Sequence, residues 1–497
     1  MSNAPRPRGP GLKFRVRTAW RNHTGNQGCD PLQQRQPESE DELVEIVKEA
    51  ERLGVPARAV GSGHSWSDAA LTGGVLVKPQ GVARPLELEN DLLRKGVNPS
   101  RLARCEAGIR LRELNAHLAG QGHALLQMGG YDAQTLAGVM STSTHGSGIG
   151  FGPICDFVRS LDVVASGGRK YRIEPSDGPT DADAYRRHHP DRELRQDDLW
   201  FDAARVGVGC LGLVYSAMIE VCPSYFLRER RELRRWGEVR DELRTREVLR
   251  EHRHYEVYIS PYRLRDDDWC LVTTRDPTDG PAKNWGDRHR NTIPEIAARI
   301  PLVPALLNLV SDLRPSLVPR MLDGALRMLR KGVYVEQGYR VLNIGTANLV
   351  PAYSSEIGVP FTAEGKHLGA IERIREIADR HRRVGSVYQT SPISLRFVHA
   401  SSAHLSMMEG RDTMMIELIQ MTRTEGGFEL LAAYEAGLYE FDGRPHWGQV
   451  NSLTGAHGLV PELYPRLADW QRVHAELNRS RVFDSPFSKR VGISTPA

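Results

Sequence analysis

The sequence predicts mixed α and β structure, of α/β or α+β class, in two or three domains. Three observations carry that expectation. A capped amphipathic helix runs into a short strand and a glycine loop near residue 60, and two further glycine-rich tracts stand beside strand-like runs before residue 225. After Pro223 the texture changes to longer strand-like segments and an apolar, proline-interrupted stretch. At 497 residues the chain has ample length for large buried cores.

The elements follow in order. After a flexible start to about residue 12, a helix is expected between Pro37 and Gly54. Ser39 and Glu42 form a capping box, Leu43, Ile46, Val47, Ala50 and Leu53 make one apolar face, and Gly54 is the stop. The strand Val55–Val60 opens into Gly61-Ser-Gly-His-Ser65, where glycine permits φ > 0 and close backbone approach to an anion. A tight βα turn with an exposed histidine is the plainer reading of that loop alone. A helix is expected at Leu111–Gln121, and a second tract from Met128 to Gly150 is rich in Gly, Ser and Thr. The strand Val158–Ala165 follows it. Asp177–Asp198, with His188 and His189, reads as a polar surface loop and not a metal site. A third tract, from Arg205, places glycines before an alternating strand. Three such tracts favour one extended, dinucleotide-sized ligand held by separated loops.

Beyond Pro223, strands are expected at Tyr255–Tyr262, Cys270–Thr274, Val341–Ile344, Ser394–Val398 and Met414–Met421, with a helix at Gly365–Arg382. Ile293–Leu329 reads as a buried or substrate-covering helical insert, because Pro301, Pro304, Pro315 and Pro319 interrupt it. The domain boundaries are placed at 1–223, 224–440 and 441–497. Lys+Arg of 66 against Asp+Glu of 62 is too balanced for a nucleic-acid or membrane-surface protein. The six cysteines show no metal-type spacing and are expected as free thiols. No apolar run approaches the roughly 18–20 residues of a membrane span, and with no apolar leader the expected location is cytoplasmic.

Five motifs in order then resemble the FAD-linked oxidases of the vanillyl-alcohol oxidase superfamily, in particular the sugar-1,4-lactone and alditol oxidase branch. Asn22-His-Thr-Gly-Asn-Gln-Gly-Cys29 is similar to its N-terminal segment, and Gly61-Ser-Gly-His-Ser65 to its flavin-attachment loop. Gln134-Thr-Leu-Ala-Gly138 through Thr144-His-Gly-Ser-Gly148 resembles its pyrophosphate loop, Gly207-Val-Gly-Cys-Leu-Gly-Leu-Val214 its adenine segment, and Arg444-Pro-His-Trp-Gly448 its late active-site motif.

The resemblance implies an α+β fold: a two-subdomain PCMH-type FAD-binding domain, an antiparallel-sheet substrate domain with a helical insert, and a last segment, Trp470–Ile493, returning to the flavin site. It implies FAD held by Gly61, Ser62, Gly63, His64 and Ser65, with a covalent bond through His64. It further implies Gly138, Ser141, Thr144, Gly146, Ser147 and Gly148 at the pyrophosphate, His145 near the flavin through its backbone and without an acid–base role, and Gly207, Gly212 and Val214 at the adenine half. The chemistry implied is hydride transfer from a CH–OH group to flavin N5, with O2 as acceptor or, alternatively, a dehydrogenase's other acceptor.

The chain departs from the branch in its substrate domain. Arg396 matches a Glu-x-Arg pair, but Ser394 stands at the glutamate, and Gln449 stands at the lysine after the late motif. Ile419 and Met421 occupy positions that are often polar. The catalytic set expected is therefore Arg396, His446, Gln449 and Ser394, with His446 as a general base or as an orienting hydrogen-bond partner. Glu356 is a candidate to replace the missing carboxylate, although it and Glu417 read more simply as paired strand residues. The lost polar groups point to a substrate less polar than an aldonolactone or alditol. A typical sugar-lactone oxidase is the alternative, and a non-catalytic flavin-binding protein is the alternative of another class. No metal is expected.

Overall fold

The computed structural model describes residues 19–263, 268–288, 313–330, 332–344 and 351–494. The expected flexible start and residues 293–312 of the apolar stretch lie outside the described residues.

The N-terminal half holds two sheets. Strands Gln33–Arg35, Val75–Val77 and Ala57–Ala59 form a small parallel sheet with Val75–Val77 in the middle. The expected helix is present at Glu40–Leu53, with Ser39 Oγ accepting the Glu42 N–H (3.2 Å) and Gly54 closing it at φ 64°. The capping box closes one residue early, because the Glu42 carboxylate accepts from Glu38 N–H. The helix's apolar face, Leu43, Ile46, Val47 and Ala50, is buried against Val164, Leu213, Val482 and Phe483. At roughly 1.5–3 kcal/mol for each large side chain, that burial outweighs helix propensity. A six-stranded sheet stands beside it in the order Arg192–Gln196, Lys170–Glu174, Val158–Val164, Leu213–Glu220, Leu102–Glu106, Pro85–Leu86.

Asp177–Asp198 is not a polar loop. It holds a helix, Ala182–His188, capped by Asp181, and the edge strand Arg192–Gln196. Its Arg192 joins a buried network in which Asp162 takes Arg172 (2.8 Å) and Arg192 (3.2 Å) and Arg172 lies over the buried Tyr185 ring, while Asp183, Arg186, Arg187 and His188 stay exposed. An ion network across three strands cannot be told from a solvated run by composition alone.

The second half is built on an eight-stranded antiparallel sheet. Its order is Val333–Gln337, Phe226–Arg235, Trp269–Thr278, His254–Ile259, Ile393–Val398, Thr413–Met421, Ala352–Pro360, Arg444–Pro445. Helices Lys366–Gly385 and Gly427–Leu438 cover one face, where Ile371, Ile374, Leu430, Leu431 and Tyr434 pack on Ile357, Val359, Leu395, Ile416 and Leu418. Alternation along each strand sends Glu356, Arg396, Glu417, Ile419 and Met421 to the opposite face, toward the first half. The expected strand Val341–Ile344 is instead the short helix Gly338–Leu342, following strand Val333–Gln337. A Cβ on Gly338 would meet the Tyr225 ring at 2.3 Å, and Val341 and Leu342 fill a cluster with Met128 and Leu227. Four apolar-rich residues do not separate strand from helix.

Arg444–Pro445 closes the sheet edge on Ile357 and Gly358. The chain then returns to the first half, where Trp470, Val473, Leu477, Phe487 and Val491 join its core. All six cysteines are unpaired. Among the described residues, no helix is long and apolar enough to cross a membrane.

Candidate active site

A cavity of about 630 Å³ separates the glycine loops from the open face of the eight-stranded sheet, within the usual size of small-molecule sites. At its centre is the loop Gly61–Ser65. Its shape is imposed from both sides. His23 N–H bonds Gly63 O (3.0 Å), Asn22 Nδ2 bonds Ser65 O (2.9 Å), and Asn26 Nδ2 bonds Trp66 O (2.9 Å). From the late motif, Gly448 O accepts the Trp66 N–H (2.8 Å), and Ser67 Oγ donates to Trp447 O (2.6 Å). Two segments more than 400 residues apart in sequence, around Asn22 and Trp447, thus hold one loop. A Cβ on Gly61 would fall 2.2 Å from Thr135 Oγ1, the hydroxyl that caps the helix Leu136–Ser141, so the two loops meet without room for a side chain.

His64 lines the cavity. Its Nε2 meets Tyr131 OH at 3.1 Å, while its Nδ1 is buried with no hydrogen-bond partner among the described residues. Burial, with help from His23 and Arg110, lowers its pKa to about 4, so the ring is neutral with a lone pair available. Gly138, Ser141, Thr142 and Thr144 continue the wall, and Gly212 and Val214 lie at its far end.

Three expected glycine positions have other work. Gly146 is pressed on Gln127 and Met128, Gly148 bridges to Val398 with its Cα against Arg253 O, and Gly207 lies off the wall near Leu211. Ser147 Oγ donates to Tyr255 O and accepts the Phe397 N–H (3.3 Å). Gly146–Gly148 therefore joins the glycine loop to the sheet. In place of Gly207, its neighbours Val208 and Gly209 line the cavity, their carbonyls held by buried Arg58 at 2.5 and 2.8 Å. Trp470–Ile493 supplies no wall residue. It braces the region from behind, through Arg490 paired with Asp68 (2.6 Å) and Trp470 Nε1 donating to Val206 O (3.2 Å).

The sheet supplies the charged end. Arg396 donates to three carboxylates from three neighbouring strands: Nε to Glu256 (3.0 Å), Nη1 to Glu356 (3.3 Å) and Nη2 to Glu417 (2.7 Å). Arg275 shares Glu256 (3.2 Å) and binds Glu229 (2.8 Å). Burial alone would raise the Glu256 carboxyl, but Arg275 and Arg396 together hold it at about 2. Glu356 is likewise desolvated, yet His145, Arg396 and His446 bring it to about 2. Burial and the charges of Glu356 and Glu256 raise Glu417, with Arg396 opposing them. Ser394 stays off the cavity wall, because its short side chain reaches only Glu256 (3.3 Å).

His145 Nδ1 donates to Gly146 O (2.8 Å), and its Nε2 faces Glu356 Oε1 at 3.3 Å, so both ring nitrogens meet acceptors. His446 is the opposite case. Its Nδ1 accepts the Gly448 N–H (3.0 Å), which leaves the proton on Nε2. Burial lowers its pKa to about 4, so it is a neutral donor and has no free lone pair with which to act as a base. His145, Glu356 and His446 bring three ligand-type atoms within 4.8 Å. A metal there would need the Nε2 lone pair that the His446 tautomer lacks, and the Glu356 carboxylate is already bound by Arg396 and His145. Gln449 lines the same end with its Oε1 buried and unpartnered.

The residues around the glycine loops suit FAD. The loops meet too closely for side chains, hydroxyls and backbone line the wall, and the one buried unpartnered imidazole nitrogen among the loop residues is on His64. Tyr131, Arg58 and Glu256 were not singled out from sequence. Tyr131 carried a signal, lying inside the second glycine tract, whereas Arg58 and Glu256 act through contacts that no local pattern announces.

The D-arabinono-1,4-lactone oxidase family matches residues 217–491, and an FAD binding domain matches residues 31–174. The chain is 28% identical over 483 residues to an L-gulono-1,4-lactone dehydrogenase of Mycobacterium tuberculosis, covering 95% of this chain and 98% of that one. It is 27% identical over 478 residues to an alditol oxidase of a Streptomyces species, with coverage of 95% and 98%. Among solved structures, a cholesterol oxidase of B. sterolicum superposes with a TM-score of 0.74 over 99% of this chain and 100% of that one, at 11% identity, a likeness of fold.

Proposed function

The chain belongs to the D-arabinono-1,4-lactone oxidase family, and from that premise we propose that it oxidises the CH–OH group of an amphipathic alcohol or lactone, one end hydroxylated and the rest apolar. It is an FAD-dependent oxidoreductase of CH–OH donors. The observation that supports this substrate is the mixed lining of the sheet side of the cavity. Arg396, Glu356, Glu417, His446 and Gln449 line it together with the apolar Leu271, Leu322, Ala325, Ile344, Ile419 and Met421, and Arg231, Tyr258, Thr390 and Ser391 are the further polar groups there. Each extra hydroxyl placed against that apolar lining costs on the order of 1–3 kcal/mol when it finds no partner.

Bound FAD supplies the hydride acceptor. The protein's own groups do the rest. His446 Nε2–H donates to the substrate oxygen and Gln449 Oε1 accepts from a hydroxyl, each using an atom without a partner among the described residues. Arg396 holds the carboxylates of this end in register and offsets part of the charge of Glu256, Glu356 and Glu417. Gly61–Ser65, Gly138, Ser141 and Thr144 hold the flavin side and the pyrophosphate, and Gly212 and Val214 the adenine half. His64 would hold the flavin covalently through Nδ1, the nitrogen that Tyr131 leaves free. O2 takes up the electrons. The unpaired thiols suit a reducing, cytoplasmic location.

The test is steady-state turnover on matched substrates. Alcohols with one hydroxylated end and an apolar chain are expected to exceed alditols and aldonolactones in kcat/KM, with peroxide formed stoichiometrically. Equal or better turnover of the hydroxyl-rich substrates overturns the amphipathic reading, and dye reduction without peroxide overturns O2 as acceptor.

A further inference from the structure

We propose that Glu417 is the group that takes the substrate's hydroxyl proton, replacing from the adjacent strand the carboxylate that position 394 lacks. The inference rests on the CH–OH oxidation proposed above and adds the proton acceptor to it.

The strand register carries the argument. Tyr258 pairs with Ser394, Ser394 with Glu417, and Glu417 with Glu356, so these four stand in one row across four strands. Side chains in such a row share a face, and neighbouring strands lie about 4.8 Å apart. Moving a carboxylate from position 394 to 417 therefore shifts it by one strand while keeping its row, its face and its contact with Arg396. The serine at 394 makes the exchange possible. A second glutamate there would crowd Glu256, which Ser394 now contacts at 3.3 Å.

The other groups at this end are excluded one by one. Glu256 accepts from Arg396, Arg275, Tyr258 and Ser394, and it is not on the cavity wall. Glu356 uses Oε1 for both His145 and Arg396. Arg396, with Arg275 at Glu256 and the contact with His145 at Glu356, holds both acids at about 2, where a carboxylate is a weak proton acceptor. His446 already carries its Nε2 proton. Gln449 is an amide, and Tyr258 OH donates to Glu256 (3.0 Å). Glu417 differs in each respect. It lies on the wall, and among the described residues its sole partner is Arg396 through Oε2 (2.7 Å), which leaves Oε1 available. The charged and titratable groups that act on it are Arg396, Glu356, Glu256 and Tyr258, with His145 and His446 next to Glu356. Burial and the two neighbouring acids raise its affinity for a proton.

The step balances. The substrate O–H bond breaks toward Glu417 and the carbinol C–H bond breaks with its electron pair, the hydride going to oxidised FAD. The C=O double bond forms from the electrons of the O–H bond, and the carboxyl later returns its proton to water.

The experiment uses the FAD-loaded full chain. In the wild type, kcat/KM rises with pH through the ionisation of Glu417, giving an acid limb above the ordinary carboxylate range. Glu417→Gln is expected to lose that limb and about 10²–10⁴-fold in kcat/KM, while keeping its FAD content and its reduction by dithionite. Infrared titration reads the same group without turnover: a protonated-carboxyl band present in the wild type at mildly acid pH is absent from the variant. Glu417→Asp, which keeps the carboxylate, restores the acid limb. An intact acid limb in Glu417→Gln, or a loss under tenfold, overturns the assignment while leaving CH–OH oxidation standing. Failure of every CH–OH donor to reduce the wild type removes both.

Discussion

Replacing Arg396 by methionine removes the one cation shared by Glu256, Glu356 and Glu417. The three do not suffer equally. Glu256 keeps Arg275 at 3.2 Å and Glu356 keeps His145 at 3.3 Å, but Glu417 has no second partner among the described residues. Its side chain is only 13% exposed, so the variant leaves one nearly buried carboxylate without a counter-charge. Breaking a buried pair in this way costs about 3–5 kcal/mol while the survivor stays ionised. Protonation relieves the cost, which fixes its pH dependence. Burial, Glu356 and Glu256 already raise Glu417 in the wild type, and losing Arg396 raises it further, so in Arg396→Met its contribution is full only below the unfolded value and is lost as pH rises. In the wild type, Glu256 and Glu356 sit at about 2, below their ordinary 4.5, and their contribution stays full from 4.5 upward. The stability gap between the two proteins therefore widens from about pH 5 to about pH 8. Urea unfolding of the FAD-loaded proteins at both pH values measures it. Arg396→Met/Glu417→Gln should recover most of the loss, because Glu256 keeps Arg275 and Glu356 keeps its contact with His145. An equal gap at both pH values, or a double variant no more stable than the single one, would refute this distribution of charge.

Other consequences are as direct. Denatured wild-type polypeptide should carry the mass of FAD and His64→Ala should not, although the variant still binds flavin in its native state; an unchanged wild-type mass contradicts the His64 bond. Gly61→Ala drives a methyl into Thr135 Oγ1 and should weaken FAD affinity. Adding Thr135→Ala relieves that clash at the cost of about 1 kcal/mol for the lost helix cap, so no recovery in the double variant removes the steric explanation. His446→Ala should lower kcat/KM about 10–100-fold, the worth of one hydrogen bond to the reacting oxygen. It should not displace the acid limb, because burial holds the wild-type ring at about 4 and hence neutral throughout.

The parts of the fold that local chemistry dictates were readable from the sequence. The helix Glu40–Leu53 announces itself through its cap, its apolar period and its terminal glycine. The loop Gly61–Ser65 does so through residues that need close backbone approach. Glycine reports that something comes near, without saying what. Gly61 makes room for the neighbouring loop, whereas Gly148, in an equally persuasive motif, makes room for the sheet at Arg253. The substrate end was least legible. Ser394 reads as a lost carboxylate along one strand, yet the cross-strand row places Glu417 beside it. Register between strands distant in sequence is set by packing of the whole sheet, and one strand's pattern does not contain it. The same limit concealed Glu256, which meets Arg396 from the other side. Local signals therefore located the glycine loops, and tertiary pairing sets the row of carboxylates opposite them.

The central claim is that this cavity brings a CH–OH carbon to a flavin held by the Gly61–Ser65 loop. Anaerobic mixing of the FAD-loaded protein with amphipathic alcohols tests it most directly, with flavin absorbance as the readout and one equivalent of substrate per flavin. The expected result is bleaching of the oxidised flavin band together with one equivalent of carbonyl product. A flavin that dithionite bleaches fully and no CH–OH donor bleaches at all would contradict the account.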